Sequence, residues 1–432
     1  TCSPTRGSVL TGRHPIRYGT FAPNWSIRPE EISIAHILRD AGYACGHFGK
    51  WHVGPVKAES PTNPKAMGFD EWLSHDNFFE MDPHLSRNGG APQHFQGEGS
   101  QVIVDEAIRF MRNAKRRRQA FFTVVWFGSP HEPYSGLQKD LDLYSELPKQ
   151  YRENSVTLTS METGLPVKRP LDEVLRERYA EITAMDRAIG TLRQYLEDSG
   201  QRSNTVLWYC GDNGVPRSGR VTTPFRGQKG LMYDGGVRVP CIIEWPDRIS
   251  KQRATDTNAV TSDMLPTICE LVGQFKPARP LDGISLKPLI DDKMASRPQP
   301  ICFWSYNAGR DVNGGLQPYI APQLQEGTTE LVKRMNGRLT RNFRNFHHPA
   351  IKDEDFAGPR AILDNRYKLV IDGQPGAKPG SESVVELFDL RADLAEEDNL
   401  LKAKPDIAKN LERQLRNWQQ SVLESLTGGD YR

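Results

Sequence analysis

Cys2-Ser3-Pro4-Thr5-Arg6-Gly7-Ser8-Val9-Leu10-Thr11-Gly12-Arg13 stands at the head of the chain. Pro4 fixes its own φ and biases Ser3 towards extended backbone. The run from Arg6 to Leu10 predicts the opening of a helix, and a helix N-terminus favours an anion beside Cys2. Arg6 adds a fixed cation close in sequence to the thiol. A buried cysteine next to a turn proline would explain Cys2 and Pro4. It would not explain the arginine or the Leu-Thr-Gly-Arg tail.

Working outward, hydrophobic strands and amphipathic helices alternate. Residues 31–41 carry Ile34, Ile37 and Leu38 at helical spacing and stop at Gly42. A short strand follows at 43–49. Residues 100–118 predict a helix with Val104, Ile108 and Met111 on one face. Its Lys115-Arg116-Arg117-Arg118 end reads as a solvated face favoured by the helix dipole. A buried strand is predicted at 120–128, a long helix at 171–199, and further buried strands at 205–210 and 237–245. Segments 361–372 and 384–390 read as a strand pair, and 407–423 as a closing amphipathic helix. This alternation favours an α/β fold with a mostly parallel sheet. In such sheets ligands bind beyond the carboxyl ends of the strands.

Four chemistry-bearing segments fall at those ends. Gly49-Lys50-Trp51-His52-Val53-Gly54 sets a cation and a titratable imidazole two residues apart, on one side of an extended chain. Ser129-Pro130-His131-Glu132-Pro133 places a histidine between prolines, which alone reads as a loop. Gly211-Asp212-Asn213-Gly214 offers adjacent hard oxygens suited to calcium or magnesium, though it is also good turn chemistry. Arg226-Gly227-Gln228-Lys229-Gly230 is followed by Asp234-Gly235-Gly236-Val237-Arg238-Val239-Pro240, whose glycines let backbone approach a ligand closely.

The twelve-residue head and these four segments resemble the type I sulfatases, whose signature runs Cys-x-Pro-Ser/Thr-Arg-x-x-x-Leu-Thr-Gly-Arg. The likeness continues through Asp389-Leu390 and Glu397-Asp398-Asn399-Leu400 to a residue near 425. It implies an alkaline-phosphatase-like α/β fold, with a mostly parallel sheet flanked by helices and a smaller C-terminal α+β subdomain. It also implies that a formylglycine-generating enzyme oxidises Cys2 to the aldehyde formylglycine. A thiol attacking sulfur would leave a stable adduct. A hydrated aldehyde carries two hydroxyls: one displaces the alcohol, and the other loses its proton to rebuild the aldehyde and expel sulfate.

By the same resemblance, Arg6 and Lys50 hold and activate the nucleophile, and Lys50 also meets the sulfate. His52 assists sulfate release. His131 and Lys229 bind sulfate and help the leaving oxygen depart. Asp212 and Asn213 bind calcium, with magnesium the other hard cation, as a Lewis acid. Asp234 stands where the family often has Glu, and Arg238 is expected to support its loop. In the family an upstream strand supplies two further Asp ligands. No Asp or Glu precedes Glu30, so that strand and any signal peptide are expected to lie outside this chain.

Gly68-Phe69-Asp70-Glu71-Trp72-Leu73 and Asp76-Asn77 resemble loops of carbohydrate sulfatases. The expected substrate is a sulfated carbohydrate or an aryl sulfate, and the expected location is periplasmic or secreted. Two rivals stay open. One is a phosphonate or phosphodiester hydrolase of the same superfamily. The other is a non-catalytic sulfated-glycan binding protein.

Composition narrows the rest. The chain has 432 residues, net charge +2 and 37% hydrophobic residues, an ordinary balance for a globular enzyme. It gives no global case for nucleic acid or membrane binding, and no apolar run is long enough to span a bilayer. Six widely spaced cysteines without a CxxC pair argue against zinc or a redox couple. The expected organisation is a catalytic domain at 1–306, a polar insertion at 307–359 and a C-terminal subdomain at 360–432. The insertion carries Arg338, Arg341, Arg344, His347 and His348, and reads either as a mobile surface segment or as a cationic wall for an anionic glycan.

Overall fold

A computed structural model of the chain describes residues 1–160, 165–306, 316–330, 340–373 and 383–431. Two compact units emerge. One comprises residues 1–23, 206–319 and 345–432, and the other residues 24–205 and 320–344. Both are discontinuous in sequence and follow contacts rather than the linear blocks 1–306, 307–359 and 360–432.

The unit built on 24–205 holds a five-stranded sheet. Its order is Gln93–His94, His84–Arg87, Glu71–His75, Ala44–Lys50, Phe121–Trp126. Ala44–Lys50 pairs parallel with Glu71–His75 and with Phe121–Trp126, and the remaining two pairings are antiparallel. Every residue of Ala44–Lys50 is buried, as a strand flanked on both edges should be. At its end Gly49 takes φ 105°, and a Cβ there would lie 2.1 Å from the Trp126 carbonyl oxygen. Only glycine lets the strand leave the sheet at this point, directly ahead of Lys50 and His52.

Helix Gly99–Arg116 packs on Ala44–Lys50 through a stripe including Ile103, Val104, Ala107, Phe110 and Met111. Glu98 caps it, accepting from the N–H groups of Ser100 and Gln101. The 28-residue helix Leu171–Asp198 packs against Gly99–Arg116. Its first turns also close a cluster with Tyr134, Val156 and Leu158. Buried Glu181 on this helix accepts from Ser135 N–H at 2.7 Å, tying down the loop that carries His131.

In the other unit, Cys2–Thr11 is helical and ends on Gly12 in the left-handed conformation. A four-stranded antiparallel sheet runs Ile301–Trp304, Arg360–Leu363, Tyr367–Ile371, Val385–Asp389. Helix Pro405–Leu426 covers it through Leu411 and Leu415, against Ile362, Leu369, Ile371 and Leu387. The resemblance implies a smaller C-terminal α+β subdomain, with 361–372 and 384–390 read as a strand pair; the first segment instead turns back to form two strands, and Ile301–Trp304 adds a fourth from outside 360–432.

Three strands depart from expectation. Residues 120–128, 205–210 and 237–245 read as buried strands. The observed strands are shorter, Phe121–Trp126, Leu207–Cys210 and Cys241–Glu244, and mostly half-buried or exposed. Leu207–Cys210 and Cys241–Glu244 pair antiparallel with each other, Cys210 opposite Cys241, and Ile242 is 62% exposed. Val237 ends a short helix, Asp234–Val237. An apolar run marks a strand but does not reveal whether its edges are covered. Phe121–Trp126 terminates its sheet, and the other two form a lone pair among the described residues.

Two charge clusters brace the unit containing Cys2. Asp282 accepts from His14 N–H at 2.6 Å, from Arg17 at 2.7 and 2.9 Å, and from the Trp418 indole at 2.7 Å. Arg17 also donates to Ser421 and Ser425, so the turn Pro15–Tyr18 is locked to the last helix. Burial pushes the Asp282 carboxyl pKa up, but Arg17 and the His14 contacts outweigh it and hold it at about 2. Deeper still, the Lys368 ammonium lies between Asp234 at 2.7 Å and Glu396 at 2.9 Å, with no solvent exposure. Glu396 also accepts from Asp234 N–H at 2.7 Å. No described helix is long and apolar enough to cross a membrane.

Two predictions follow from these clusters. Lys368→Met leaves Glu396 buried without its cation and Asp234 with only the half-exposed Arg238, and should lower unfolding free energy by about 3–5 kcal/mol in a urea titration. A neutral outcome would mean that the ion cluster does not brace the loop at Asp234. For Asp282 the folded pKa is depressed, so its stabilisation is present above the unfolded value of 3.8 and is lost as pH falls towards 2. The wild-type thermal midpoint should therefore fall more steeply than that of Asp282→Asn over this window, by the equivalent of about 2 kcal/mol.

Candidate active site

Cys2 is the first residue of its helix, buried at 2% exposure. Lys229 Nζ donates to its Sγ at 3.6 Å, and Asn213 Oδ1 lies 4.0 Å from the same sulfur. Arg6, one turn along the helix, reaches Asp212 Oδ2 at 4.0 Å. Burial pulls the Arg6 guanidinium pKa down, while Asp212, then Cys2 and Cys210, pull it up. An arginine in that balance keeps its charge. The unit thus brings together five residues that the sequence proposes for the site: Cys2, Arg6, Asp212, Asn213 and Lys229.

The loops carrying them are stitched through backbone. Gly214 N–H donates to Gly236 O at 2.9 Å, Val215 N–H to Gly235 O at 3.1 Å, and Lys229 N–H to Val215 O at 2.7 Å. A Cβ on Gly214 would sit 2.1 Å from Gly235 O, so this approach requires glycine. Asn213 Nδ2 donates to Gly214 O at 3.1 Å, which leaves its oxygen facing Cys2. The Lys368 cluster anchors the loop at Asp234, a contact that motif reading did not foresee. Arg238 pairs with Asp234 at 3.3 Å, the supporting part expected of it.

The other unit assembles Lys50, His52 and His131 around Asn77 and Phe78. Lys50 Nζ lies 5.8 Å from the Phe78 ring centroid, and the His131 ring stacks on the same phenyl at 4.6 Å and 14°. His131 Nδ1–H donates to Glu132 O at 2.5 Å. His52 takes φ 57°, and its Nε2 lies 3.1 Å from Asn24 Oδ1, which also accepts from Asn77 Nδ2 at 3.2 Å. Beside them Asp76 gathers the N–H groups of Val56, Thr328 and Thr329 and the Thr329 hydroxyl. His75 Nε2–H donates to Glu330 O at 2.6 Å, and burial lowers the pKa of this imidazole. Part of the polar insertion is therefore pinned by the His75-Asp76 pair.

Sequence reading missed Asn24, which belongs to no recognised motif. It named Asp76 and Asn77 only as part of a loop. Of the insertion's basic residues, Arg338 lies outside the described residues. Arg344 packs over Trp25 at 4.9 Å, and His348 edges onto Phe21 at 5.3 Å. The six cysteines are all free, and burial pushes the Cys210 thiol up to about 12.

A cavity of about 580 Å³ in the unit containing Cys2 is lined by Ser8, His14, Arg17, Asp282 and Trp418 among others. It takes in none of the residues proposed for the site. Among the described residues no group of three or more His, Cys, Asp or Glu side chains could hold a metal ion. Asp212 and Asn213 offer two hard oxygens of the kind calcium takes, part of a sphere of about six to eight.

The sulfatase family profile matches residues 1–274. The chain is 30% identical to the ulvan-active sulfatase of Formosa agariphila, over 67% of this chain and 55% of that protein. It is 26% identical to an endo-4-O-sulfatase of Bacteroides thetaiotaomicron, over 74% of this chain and 68% of that one. Human arylsulfatase A is 28% identical over 70% of this chain and 61% of the relative. The chain thus spans about half to two thirds of the length of these relatives.

Solved structures agree in fold. Ps i-CgsB superposes with a TM-score of 0.72 at 19% identity, covering 98% of this chain and 82% of its own. A phosphonate monoester hydrolase of Agrobacterium radiobacter gives 0.64 at 17% identity, covering 99% and 88%. With the family profile matching more than half of its length, and with the signature at Cys2 in place, the chain belongs to the sulfatase family.

Proposed function

We propose that this protein hydrolyses sulfate esters of a carbohydrate, with Cys2 oxidised to formylglycine by a formylglycine-generating enzyme. The observation that carries this reading is the convertible cysteine at a helix N-terminus with Lys229 Nζ 3.6 Å from its sulfur and Arg6 on the next turn. Fixed cations around that atom suit an anionic ester and stabilise the negative charge that builds on it without having to reorganise as water would. Once formed, the aldehyde at position 2 adds water, and one hydroxyl of the resulting hydrate supplies the attacking oxygen.

Arg6 and Lys50 hold the nucleophile's surroundings positive. Lys50, His131 and Lys229 bind the sulfate oxygens. His52 moves the proton that accompanies sulfate release, and His131 and Lys229 favour departure of the alcohol oxygen. These roles come from the motif resemblance. Asp212 and Asn213 are the residues that would hold calcium, which supplies Lewis-acid polarisation when bound. The names of the relatives, an ulvan-active sulfatase and an endo-4-O-sulfatase among them, support a sulfated glycan as the substrate class. The motif resemblance favours a periplasmic or secreted setting.

The phosphonate or phosphodiester reading has one specific support, the shared fold with a phosphonate monoester hydrolase. Fold alone does not choose between sulfur and phosphorus. The test co-expresses the full-length protein with a formylglycine-generating enzyme and compares aryl sulfate with aryl phosphate, with and without calcium. Sulfate release should depend on calcium and fall by about three orders of magnitude or more in Cys2→Ala. Lys229→Met should cost about 10²–10³ in kcat. Preference for the phosphate ester would move the assignment to the rival hydrolase. No turnover of either ester or of sulfated oligosaccharides, with Cys2 converted by mass spectrometry, would leave a glycan-binding protein.

A further inference from the structure

A short chain of hydrogen bonds decides which nitrogen of His52 carries a proton. Phe78 N–H donates to Asn77 Oδ1 at 2.9 Å. A backbone N–H can only donate, so this bond fixes which end of the Asn77 amide is oxygen. The other end, Nδ2, donates to Asn24 at 3.2 Å. What accepts from an amide NH₂ is an oxygen, so Asn24 presents its carbonyl there. His52 Nε2 lies 3.1 Å from that same oxygen. An amide oxygen has no proton to give, so His52 must be the donor through Nε2–H. A neutral imidazole has one ring proton, and its lone pair then sits on Nδ1.

We infer that Asn24 and Asn77 are positioning residues that hold His52 as the Nε2–H tautomer, making Nδ1 the nitrogen that accepts and returns the proton in ester hydrolysis. The catalytic half of this statement rests on the proposed sulfatase reaction, whereas the tautomer itself does not. The surroundings make the chain rigid. Asn24 sits at φ 66°, a left-handed conformation that asparagine tolerates well. Its carbonyl accepts from Arg344 N–H at 3.1 Å, and Ser26 N–H returns a bond to Arg344 O at 3.0 Å. Ile27 N–H donates to Val53 O at 2.8 Å, tying this segment to the residue after His52. Asn77 N–H donates to His75 Nδ1 at 2.9 Å, and the Phe343 ring packs edge-on to the His52 imidazole at 6.1 Å.

His131 gives an internal contrast. Its Nδ1–H donates to the Glu132 carbonyl, so its lone pair belongs to Nε2. His52 and His131 are therefore set in opposite tautomers, each by an oxygen that can only accept. Two imidazoles with different basic atoms suit two different proton tasks.

The test records side-chain ¹⁵N and ¹³C spectra of the histidine-labelled full-length protein at alkaline pH, with His52 assigned by the loss of its signals in His52→Gln. The wild type should give the Nε2–H pattern for His52. Asn24→Leu, which removes the acceptor, should give a mixture or the Nδ1–H form and lower kcat about 10²-fold. Asn24→Asp keeps an acceptor oxygen and should retain Nε2–H, and it stands in for the leucine variant should that fail to fold. An Nδ1–H pattern in the wild type, or an unchanged tautomer in folded Asn24→Leu, overturns the inference. An altered tautomer with unchanged kcat on sulfate esters overturns the positioning role. The expected tautomers without any sulfate-ester turnover would support the amide chain and sink the sulfatase reading instead.

Discussion

The ammonium of Lys368 is the fixed point of the unit that contains Cys2. It has no access to water and touches Asp234 and Glu396 together. A charge so placed is tolerable only where oxygens replace its hydration, and the two carboxylates do so. Asp234 opens the short helix whose glycines accept the backbone of the Gly214-Val215 loop. That loop in turn receives Lys229 N–H, and the Lys229 side chain ends at the Cys2 sulfur. The position of one reactive atom is thus inherited from an ion cluster in the C-terminal sheet. Glu in place of Asp at position 234 would add a methylene to this path. The shorter carboxylate therefore belongs with the particular reach of Lys368.

Local patterning made much of this legible. The helices at 99–116, 171–198 and 405–426 were visible as 3.6-residue periods with clear stops, because their buried stripes are continuous. Cys2 and the four residues gathered around it were visible because each stands in a short motif with a distinctive composition. What escaped reading depended on long-range partners. The link from Asp234 to Lys368 spans 134 positions, and neither residue stands out in its own stretch. Asn24 looks like any turn asparagine until Asn77 and His52 are placed beside it. The strands at 121–126, 207–210 and 241–244 were found, but their exposure was not, since hydrophobic content is silent about sheet edges.

The fold and the chemistry answer different questions in this family. A phosphonate hydrolase and Ps i-CgsB both superpose on the chain at under 20% identity. The scaffold fixes where strands end and loops meet, and the side chains at those ends set the reaction. The residues proposed for that part here are two lysines, an arginine, two histidines and a cysteine, of which Cys2, Arg6, Lys50 and His52 are buried. Desolvation makes each of these polar groups costly to hold and strengthens what it does to an anion.

Burial of Cys2 also sets a timetable. The thiol lies at 2% exposure within the first turn of a helix whose neighbours come from residues more than two hundred positions later. A second protein that had to oxidise this sulfur could not reach it once those neighbours had docked. The proposed maturation is therefore a race between an external catalyst and the closing of the helix, won while the nascent segment is still extended. Any delay in synthesis of the later residues would lengthen that window, and faster closure would yield folded protein with a buried, unconverted thiol.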